Sequence, residues 1–378
     1  MTFTLSEEQQ LLKDAARDFC REQAPVSRLR KLRDDKKNGR DDALWREMAA
    51  MGWAGILVPE EYGGAGLGYV GLGVVLEETG RTLAASPLHS TAMIGASAFV
   101  LGGSAAQKAE WLPRIAAGDT VTALAIDEGA HHAPLKTALA AAKSGGGYKL
   151  SGAKSYIADG HIADLFIVAA RTSGAPGEGE GLTLFLVPAD AKGLSRRELI
   201  TVDSRGAADL VFDNVEVGAD AILGAANKGA VLLDQILDRA RIGLAAEMLG
   251  QALQAFELTS EYLKTRRQFG QVIGGFQALQ HRAAKMFTEI ELTRSCVQAA
   301  LDALDREAND IATYASLAKA RASETLHLVS SELVQMHGGI GMTDAHDAGL
   351  YLKRARVVEG MYGGAAFHRD RYALLLGF

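Results

Sequence analysis

The stretch AVLLDQILDRARIGLAAEMLGQALQAFELTSEYLKTRR, residues 230–267, decides the fold class of this chain. Apolar residues recur in it every three or four positions, over a length that suits a helical bundle. Two later stretches have the same period: FQALQHRAAKMFTEIELTRSCVQAALDALD (276–305) and ATYASLAKARASETLHLVSSELVQM (312–336). The last third of the chain is therefore predicted to be a bundle of long helices.

The first third is also predicted to be helical. Ser6 and Gln9 have the spacing of a capping box, and further helical runs cover about 42–52, 70–83 and 105–117. Between the two helical parts the period changes to that of short strands rich in β-branched and aromatic residues. These strands are predicted in VTALAI (121–126), GGGYKLSG (145–152), ADLFIVAAR (163–171), LTLFLVP (182–188) and ADLVFDNVEV (208–217), with a hairpin loop at 173–181. The sequence thus predicts a mainly α protein with a central β-domain, divided into 1–120, 121–225 and 226–378.

Composition excludes several classes of protein. The 378 residues are 48% hydrophobic and carry a net charge of −6, which is typical of a globular protein and gives no basic footprint for nucleic acid. Cys20 and Cys296 lie outside any metal-binding motif, which indicates a reducing compartment and no zinc site. The N-terminus lacks the pattern of a secretory signal. The longest uncharged stretch, 82–107, contains Pro87 and a Gly-Gly pair and is predicted to be buried helix and loop, so a cytoplasmic location is expected.

Three short motifs could suggest other functions. Residues 66–71, GLGYVG, match the dinucleotide-binding pattern GxGxxG and follow an apolar run, AGILV (54–58), that could form a strand. However, Pro59 to Tyr62 intervene and no βαβ unit surrounds the motif, so a tight loop on the substrate side is favoured. His131-His132 lacks further metal ligands at suitable spacing and is assigned to a loop. No GxSxG elbow nominates a nucleophile for hydrolysis.

More specific motifs lie in the C-terminal bundle. They are YLKTRRQFG (262–270), Phe276-Gln277 at the start of a helix, and VQMHGGIG (334–341). Together they resemble the cofactor-binding motifs of the acyl-CoA dehydrogenase family. The resemblance extends over almost the whole chain, because VPEEYGG (58–64) and FDNVEV (212–217) occur in the order of the family. It implies an N-terminal helical domain, a middle β-barrel or sandwich and a C-terminal four-helix bundle.

The resemblance also implies a tetramer that binds FAD at its subunit interfaces. An arginine at 266 can bond a pyrophosphate, and glycines at 338 and 339 let backbone N–H groups approach a phosphate or the adenosine of a neighbouring subunit's cofactor. In the β-domain, Asp127-Glu128-Gly129 stands where the family has a Thr-Glu-Pro-Gly-like loop, and Tyr156-Ile157-Ala158 where it has Trp-Ile-Thr. Tyr156 is expected to stack near the flavin, whereas Ala158 lacks a hydroxyl that would bond it. The implied cofactor-binding residues are Arg266, Gln268, Phe269, Gln277, Gln335, Gly338, Gly339, Asp127, Tyr156 and Ala158.

The family's reaction needs a carboxylate base, and this chain lacks it at both usual places. Tyr362 stands where the family commonly has a glutamate near the C-terminus, and Ala240 precedes Arg241 at the second location. Glu247 is a candidate base because it stands alone on an apolar stripe and, seven residues after Ala240, faces nearly the same side of the helix. Its alternative role is a structural glutamate paired with a neighbouring helix. Glu359 and Tyr362 are weaker candidates, and a base from another subunit stays open.

By resemblance, the chain is expected to oxidise a CoA thioester to its 2,3-enoyl form and to pass the electrons to an electron-transfer flavoprotein. Arg241 is expected to hold the CoA or its thioester end. The departures from the family, together with the ending at 362–369, resemble a branch that acts on steroid or other bulky acyl-CoAs and includes heterotetramers. The alternatives are a non-catalytic subunit that completes the FAD site or tetramer of an active partner, and an oxygen-using flavoenzyme of the same fold. Homotetramer and heterotetramer both remain open.

Overall fold

The computed structural model describes residues 5–378. Eleven α-helices lie in this part of the chain, together with ten strands, two of which form a small separate hairpin. The helices are α1 (Glu7–Gln23), α2 (Val26–Asp34), α3 (Asp42–Ala50), α4 (Gly68–Arg81), α5 (Ala96–Gly102), α6 (Ala105–Ala116), α7 (Gly229–Thr265), α8 (Gln277–Asp305), α9 (Ile311–His337), α10 (Ala348–Gly360) and α11 (Ala365–Leu375). The strands are β1 (Thr122–Ala125), β2 (Ala140–Ser144), β3 (Gly147–Ala158), β4 (Leu165–Arg171), β5 (Leu182–Pro188), β6 (Leu194–Leu199), β7 (Ala207–Gly218), β8 (Ile222–Leu223), β9 (Arg267–Gln268) and β10 (Gln271–Val272).

These elements form two compact units that draw on separated parts of the chain. The helical unit contains residues up to 31, 69–84 and 241–378, and the β-containing unit contains 32–68 and 85–240. The sequence instead predicts three consecutive domains. The two divisions differ because packing brings an early helix, α4, against α7 of the C-terminal part. The domain boundaries at 120 and 225 stay a prediction.

Glycines allow α4 and α7 to pack closely in the helical unit. A methyl group placed on Gly80 would lie 2.1 Å from the Glu247 carbonyl oxygen, and one on Gly250 would lie 1.8 Å from the Glu77 carbonyl oxygen. Only glycine fits such approaches without moving a backbone. The C-terminal part contributes five helices, α7 to α11.

The β-containing unit is built on one sheet of eight strands. Its order is β6-β7-β3-β2-β4-β5-β8, and β1 adds to it by pairing in parallel with β4. Most neighbours are antiparallel, and β4 pairs with β5 from Arg171↔Leu182 to Leu165↔Pro188, which confirms the hairpin predicted around 173–181. The side chains of Phe166, Phe185 and Phe212 are buried in the hydrophobic core of this unit, as the apolar runs predict.

In the first third of the chain, the predicted capping box is confirmed and one considered strand is wrong. The capping box is confirmed, since Gln9 N donates to Ser6 Oγ at 3.2 Å and Ser6 N donates to Gln9 Oε1 at 3.0 Å. The strand considered for 54–58 is wrong: Trp53–Gly55 is a 3₁₀-helix and turns follow it. Gly66 and Gly68 have φ of +60° and +76°, which fits the predicted tight loop rather than a strand-to-helix nucleotide motif. Among residues 5–378, no helix is long and apolar enough to cross a lipid bilayer.

Candidate active site

A ring stack brings two of the predicted cofactor motifs together at one end of the helical unit. Tyr262, in the last turn of α7, stacks on His337, the last residue of α9, with ring centroids 4.3 Å apart. His337 also packs on His346 at 4.3 Å, and burial lowers the pKa of His337. The turn after Tyr262 and the turn after His337, which are far apart in the sequence, are therefore neighbours.

The turn after α7 exposes a group of hydrogen-bond donors. Strands β9 and β10 pair Gln268 with Gln271, and the two residues between them, Phe269 and Gly270, have φ of +52° and +79°. Two consecutive positive φ values are typical of the type I′ turn that closes a two-residue hairpin. The hairpin presents Arg266 and Gln268 to the surface, while the 90% exposed Phe269 ring meets Phe276 edge-on.

The turn after α9 exposes main-chain donors beside an open space. Gly338 has φ +61° and ψ −135°, a conformation essentially confined to glycine. Gly338 and Gly339 are exposed, and within the described chain no heavy atom apart from their sequence neighbours lies within 4 Å of a methyl group placed on either. Gln335 is exposed one turn earlier on α9, and Gln277 is the exposed first residue of α8.

These groups fit FAD, whose diphosphate is anionic and whose adenosine offers acceptors to amides. A guanidinium bonds phosphate oxygens in pairs, and backbone N–H groups without a Cβ beside them allow a phosphate close approach. The chemistry of the donors and the open space at Gly338 and Gly339 thus agree with the predicted cofactor site. The individual assignments stay predictions.

The β-containing unit carries the second group of predicted residues. Tyr156, near the end of β3, has φ +53°, is 43% exposed, and donates its backbone N–H to Asp209 Oδ1 at 3.0 Å. Because this conformation is unfavourable for a tyrosine, it marks a constrained position, as expected of a ring held against a ligand. Ala158 is half-buried two residues later.

The loop after β1 is held by its own acidic residues. The Asp127 carboxylate accepts from the Ala133 N–H at 3.0 Å and lies 2.9 Å from His132 Nδ1. Glu128 accepts from the N–H of Leu139 and from the buried Lys154 Nζ at 2.8 Å. The Asp127 side chain is thus engaged within its own loop, and the structure gives its carboxylate a role in loop folding. His132 lies in the predicted loop.

Tyr362 lies in the turn between α10 and α11, with φ +55°. We call residues 358–363, which are the last three residues of α10 and the turn that follows, the base-position turn. Arg241 Nε donates to the Tyr362 carbonyl oxygen at 3.3 Å, and His368 Nε2 lies 3.0 Å from the same oxygen. The Arg241 side chain is 1% exposed and its guanidinium carbon lies 5.7 Å from the centre of the Phe367 ring. In this structure Arg241 therefore bonds the turn, and its predicted contact with CoA stays a prediction.

The two glutamates proposed as bases both lie in ion pairs. Glu247, 4% exposed, accepts from Arg354 of α10 at 2.8 Å, which is the structural alternative considered from the sequence. Glu359 accepts from Arg356 at 2.6 Å and lies 3.1 Å from His327 Nδ1. A carboxylate whose lone pairs are directed at a guanidinium is less available to take a proton from carbon.

One functional candidate was not identified from the sequence. Lys319 of α9 is completely buried, and its ammonium contacts the base-position turn. Its position in the sequence offers a signal, because Ala315, Lys319, Ala322 and Leu326 lie on one helix face at helical spacing. A lysine on an otherwise apolar stripe is costly to bury unless its donors are all used.

Comparison with known proteins places this geometry in a family. Models of the acyl-CoA dehydrogenase N-terminal, middle and C-terminal domains match residues 6–119, 126–215 and 227–373. The chain therefore belongs to the acyl-CoA dehydrogenase family, and it has the fold of that family.

Relatives and solved structures agree with this assignment. An acyl-CoA dehydrogenase of Bacillus subtilis is 32% identical over 94% of each chain, and isovaleryl-CoA dehydrogenase of Pongo abelii is 33% identical over 94% of this chain and 85% of its own. A steroid ACAD variant named Tcur3481-Tcur3483 is 35% identical, covers 99% of this chain and 98% of its own, and has a TM-score of 0.89. The ChsE4-ChsE5 complex of Mycobacterium tuberculosis is 26% identical over 100% and 99%, with a TM-score of 0.88.

Proposed function

We propose that this chain is an FAD-dependent oxidoreductase that dehydrogenates an acyl-CoA thioester between its second and third carbons and passes the electrons to an electron-transfer flavoprotein. Family membership supports the oxidoreductase class. The observation that carries the cofactor assignment is the stack of Tyr262 on His337, because it gathers an exposed arginine and two exposed glycines at one end of the helical unit.

Bound FAD would supply the hydride acceptor for the third carbon of the acyl group. The residues of this chain would do the rest. Arg266 and Gln268 would neutralise and orient the diphosphate, and Gly338 and Gly339 would donate backbone N–H groups to phosphate or adenosine. Tyr156 would pack its ring against the flavin. Arg241 and His368 fix the carbonyl of the residue that stands at the family's base position.

We propose a bulky, steroid-like acyl group as the substrate class. The steroid ACAD variant is 35% identical to this chain, which supports the resemblance seen in the ending at 362–369. A bulky acyl group also agrees with the loss of both usual base positions, since it would place the reacting carbons differently from a straight chain.

A second candidate function rests on Ala240 and Tyr362. With no carboxylate at either usual position and with both Glu247 and Glu359 in ion pairs, the chain would complete the FAD site or the tetramer while a related subunit supplies the base. Two of the similar structures, Tcur3481-Tcur3483 and ChsE4-ChsE5, are each named after two components. A homotetramer using Glu247 is the competing arrangement.

The test begins with the visible absorption spectrum of the chain purified alone. Anaerobic addition of straight-chain, branched and steroid acyl-CoAs follows, with decanoyl-CoA and a steroid acyl-CoA as the matched pair. We expect a yellow protein whose flavin absorbance is bleached by the steroid thioester. As a control, the chromophore is released from the protein and identified as FAD.

The possible results separate the candidates. Bleaching by the chain alone establishes a self-sufficient dehydrogenase and names its substrate class. A protein that becomes yellow, or is bleached, only after co-expression with a related gene establishes the site-completing role. A protein that binds no FAD alone or with such a partner would overturn both proposals.

A further inference from the structure

The side chain of Lys319 meets four oxygen acceptors inside the helical unit. Its Nζ lies 3.1 Å from Ser323 Oγ on its own helix and 3.1 Å from each of the carbonyl oxygens of Val358, Glu359 and Gly363. Three of the four acceptors are main-chain carbonyls of the base-position turn. The lysine therefore joins α9 to the backbone on both sides of Tyr362.

The acceptors explain why a buried ammonium is tolerated here. The last carbonyls of a helix have no partner within the helix, and a positive charge at that end is favourable because of the helix dipole. α10 ends at Gly360, so Val358 and Glu359 supply such carbonyls. Gly363 lies beyond the helix end, and its carbonyl is reached only because the chain turns back toward α9.

The turn itself needs support. Tyr362 has φ +55°, a left-handed conformation that is unfavourable for a residue with a Cβ. Arg241 from α7 and His368 from α11 bond the Tyr362 carbonyl, while Lys319 from α9 bonds the residues on either side. Lys319 thus bonds three carbonyls of the turn from α9, on both sides of the carbonyl that Arg241 and His368 bond.

We propose that Lys319 is a positioning residue, whose buried ammonium holds the base-position turn in one conformation and so sets the placement of Tyr362 for catalysis. The kinetic part of this proposal rests on the proposed function, whereas the conformational part does not. Lys319 makes no contact with substrate or cofactor in this role.

Charged groups on three helices lie around Lys319. Glu359 of α10 favours its protonated form, Arg241 of α7 opposes it, and His368 and Arg371 lie on α11. Burial is the largest influence and lowers the pKa of Lys319 to about 7. Above that pH a neutral amine offers two N–H groups to four acceptors, so the turn should loosen.

Hydrogen–deuterium exchange of the full chain tests the conformational part. Lys319→Met keeps an unbranched side chain, shorter by one heavy atom, and removes its donors, and Ser323→Ala removes one of its acceptors. In Lys319→Met we expect residues 358–366 to exchange at least about tenfold faster, equivalent to losing one charge-assisted hydrogen bond. Ser323→Ala should give a smaller acceleration in the same segment.

Lys154→Met is the matched control, because Lys154 is an equally buried lysine that bonds a carbonyl and a carboxylate in the β-containing unit. It should leave exchange in 358–366 unchanged. Parent-like exchange of that segment in Lys319→Met, or equal acceleration along the whole chain, would overturn the proposal. If Lys319→Met does not fold, the test uses Ser323→Ala. Faster exchange confined to residues 358–366 supports the proposal, and unchanged exchange there overturns it.

Two further readouts separate positioning from stability. The difference between the parent and Lys319→Met in the exchange rate of residues 358–366 should become smaller as pH rises through about 7. Where an acyl-CoA reduces the parent's flavin, Lys319→Met should lower the limiting rate constant at least about tenfold, with a half-saturating concentration within about twofold. An effect on half-saturation alone would contradict positioning. A parent reduced by no acyl-CoA, either alone or with a related subunit, refutes the proposed function, and the exchange experiment still decides on Lys319.

Discussion

Tyr262 and His337 stack with their ring centroids 4.3 Å apart, and this contact joins the ends of α7 and α9. The motif after each helix is a short exposed turn. The stack fixes the two turns relative to each other before a ligand arrives. Such preorganisation increases affinity because less conformational freedom is lost on binding.

Tyr262→Leu tests whether the stack prepares the cofactor site. Leucine keeps much of the apolar volume but removes a ring interaction worth about 0.5–1.5 kcal/mol. We expect the dissociation constant for FAD to rise about two- to tenfold, as measured by equilibrium dialysis of the apoprotein. Tyr314→Leu, at the opposite end of α9, is the control and should leave the constant unchanged. Equal FAD affinity in all three proteins would disprove this role.

Glu247→Gln distinguishes a structural ion pair from a catalytic base. Glu247→Gln removes one charge of a buried ion pair with Arg354, so we expect the free energy of unfolding to fall by about 3–5 kcal/mol. In the structural role, the folded variant with FAD bound keeps the parent's rate of flavin reduction.

The double variant Glu247→Leu/Arg354→Leu removes both charges and should recover most of the lost stability in denaturant titrations. A rate of flavin reduction lowered by several orders of magnitude in folded Glu247→Gln would instead identify Glu247 as the base. Wild-type stability of the single variant would show that the pair contributes nothing.

His368 should make the protein sensitive to acid. Burial, followed by the nearby charges of Arg241 and Lys319, lowers its pKa from 6.5 to about 2. Below pH 6.5 the unfolded chain binds a proton at this histidine that the folded chain excludes, so stability falls as pH decreases. The contribution reaches at most about 1.4 kcal/mol per pH unit.

His368→Gln keeps an N–H donor for the Tyr362 carbonyl without this titration. We therefore expect a flatter dependence of unfolding free energy on pH between 6.5 and 4 than in the parent. His281→Gln, an exposed histidine of α8 that lies away from this turn in the sequence, is the control and should follow the parent curve. Parallel curves for the parent and His368→Gln would contradict the buried neutral histidine.

Sequence reasoning succeeded where residue type alone limits the structure. Strands such as LTLFLVP and the long amphipathic helices follow from their hydrophobic period, and Ser6 caps α1 as its spacing predicts. It failed at AGILV, because five apolar residues do not distinguish a strand from a buried turn. Arg266 and Gly338 could be proposed because the motifs around them resemble those of the family, and their chemistry suits phosphate binding.

Other parts of the site left little mark on the sequence. Lys319 bonds main-chain carbonyls, which every residue possesses, so its acceptors could not be identified from residue types. Glu247 was recognised as unusual, but its partner Arg354 lies on a helix distant in the sequence. Which helices meet is set by tertiary packing, including the close approach of α4 and α7 at Gly80.

Gly339→Ala tests the open space beside the turn after α9. In the described structure a methyl group at this position meets no heavy atom within 4 Å, and φ of Gly339 is not in the left-handed region, so the fold should tolerate it. The thermal midpoint is expected to stay within about 2 °C of the parent, as for a surface change below 0.5 kcal/mol. FAD affinity should nevertheless fall about tenfold or more, because the methyl group would stand between the backbone N–H groups and a phosphate or adenosine.

Gly349→Ala, in α10 and equally open, provides the control for adding a methyl group elsewhere in the helical unit. If Gly339→Ala binds FAD as tightly as Gly349→Ala, the cofactor does not approach this turn, and the assignment of Gly338 and Gly339 fails with it.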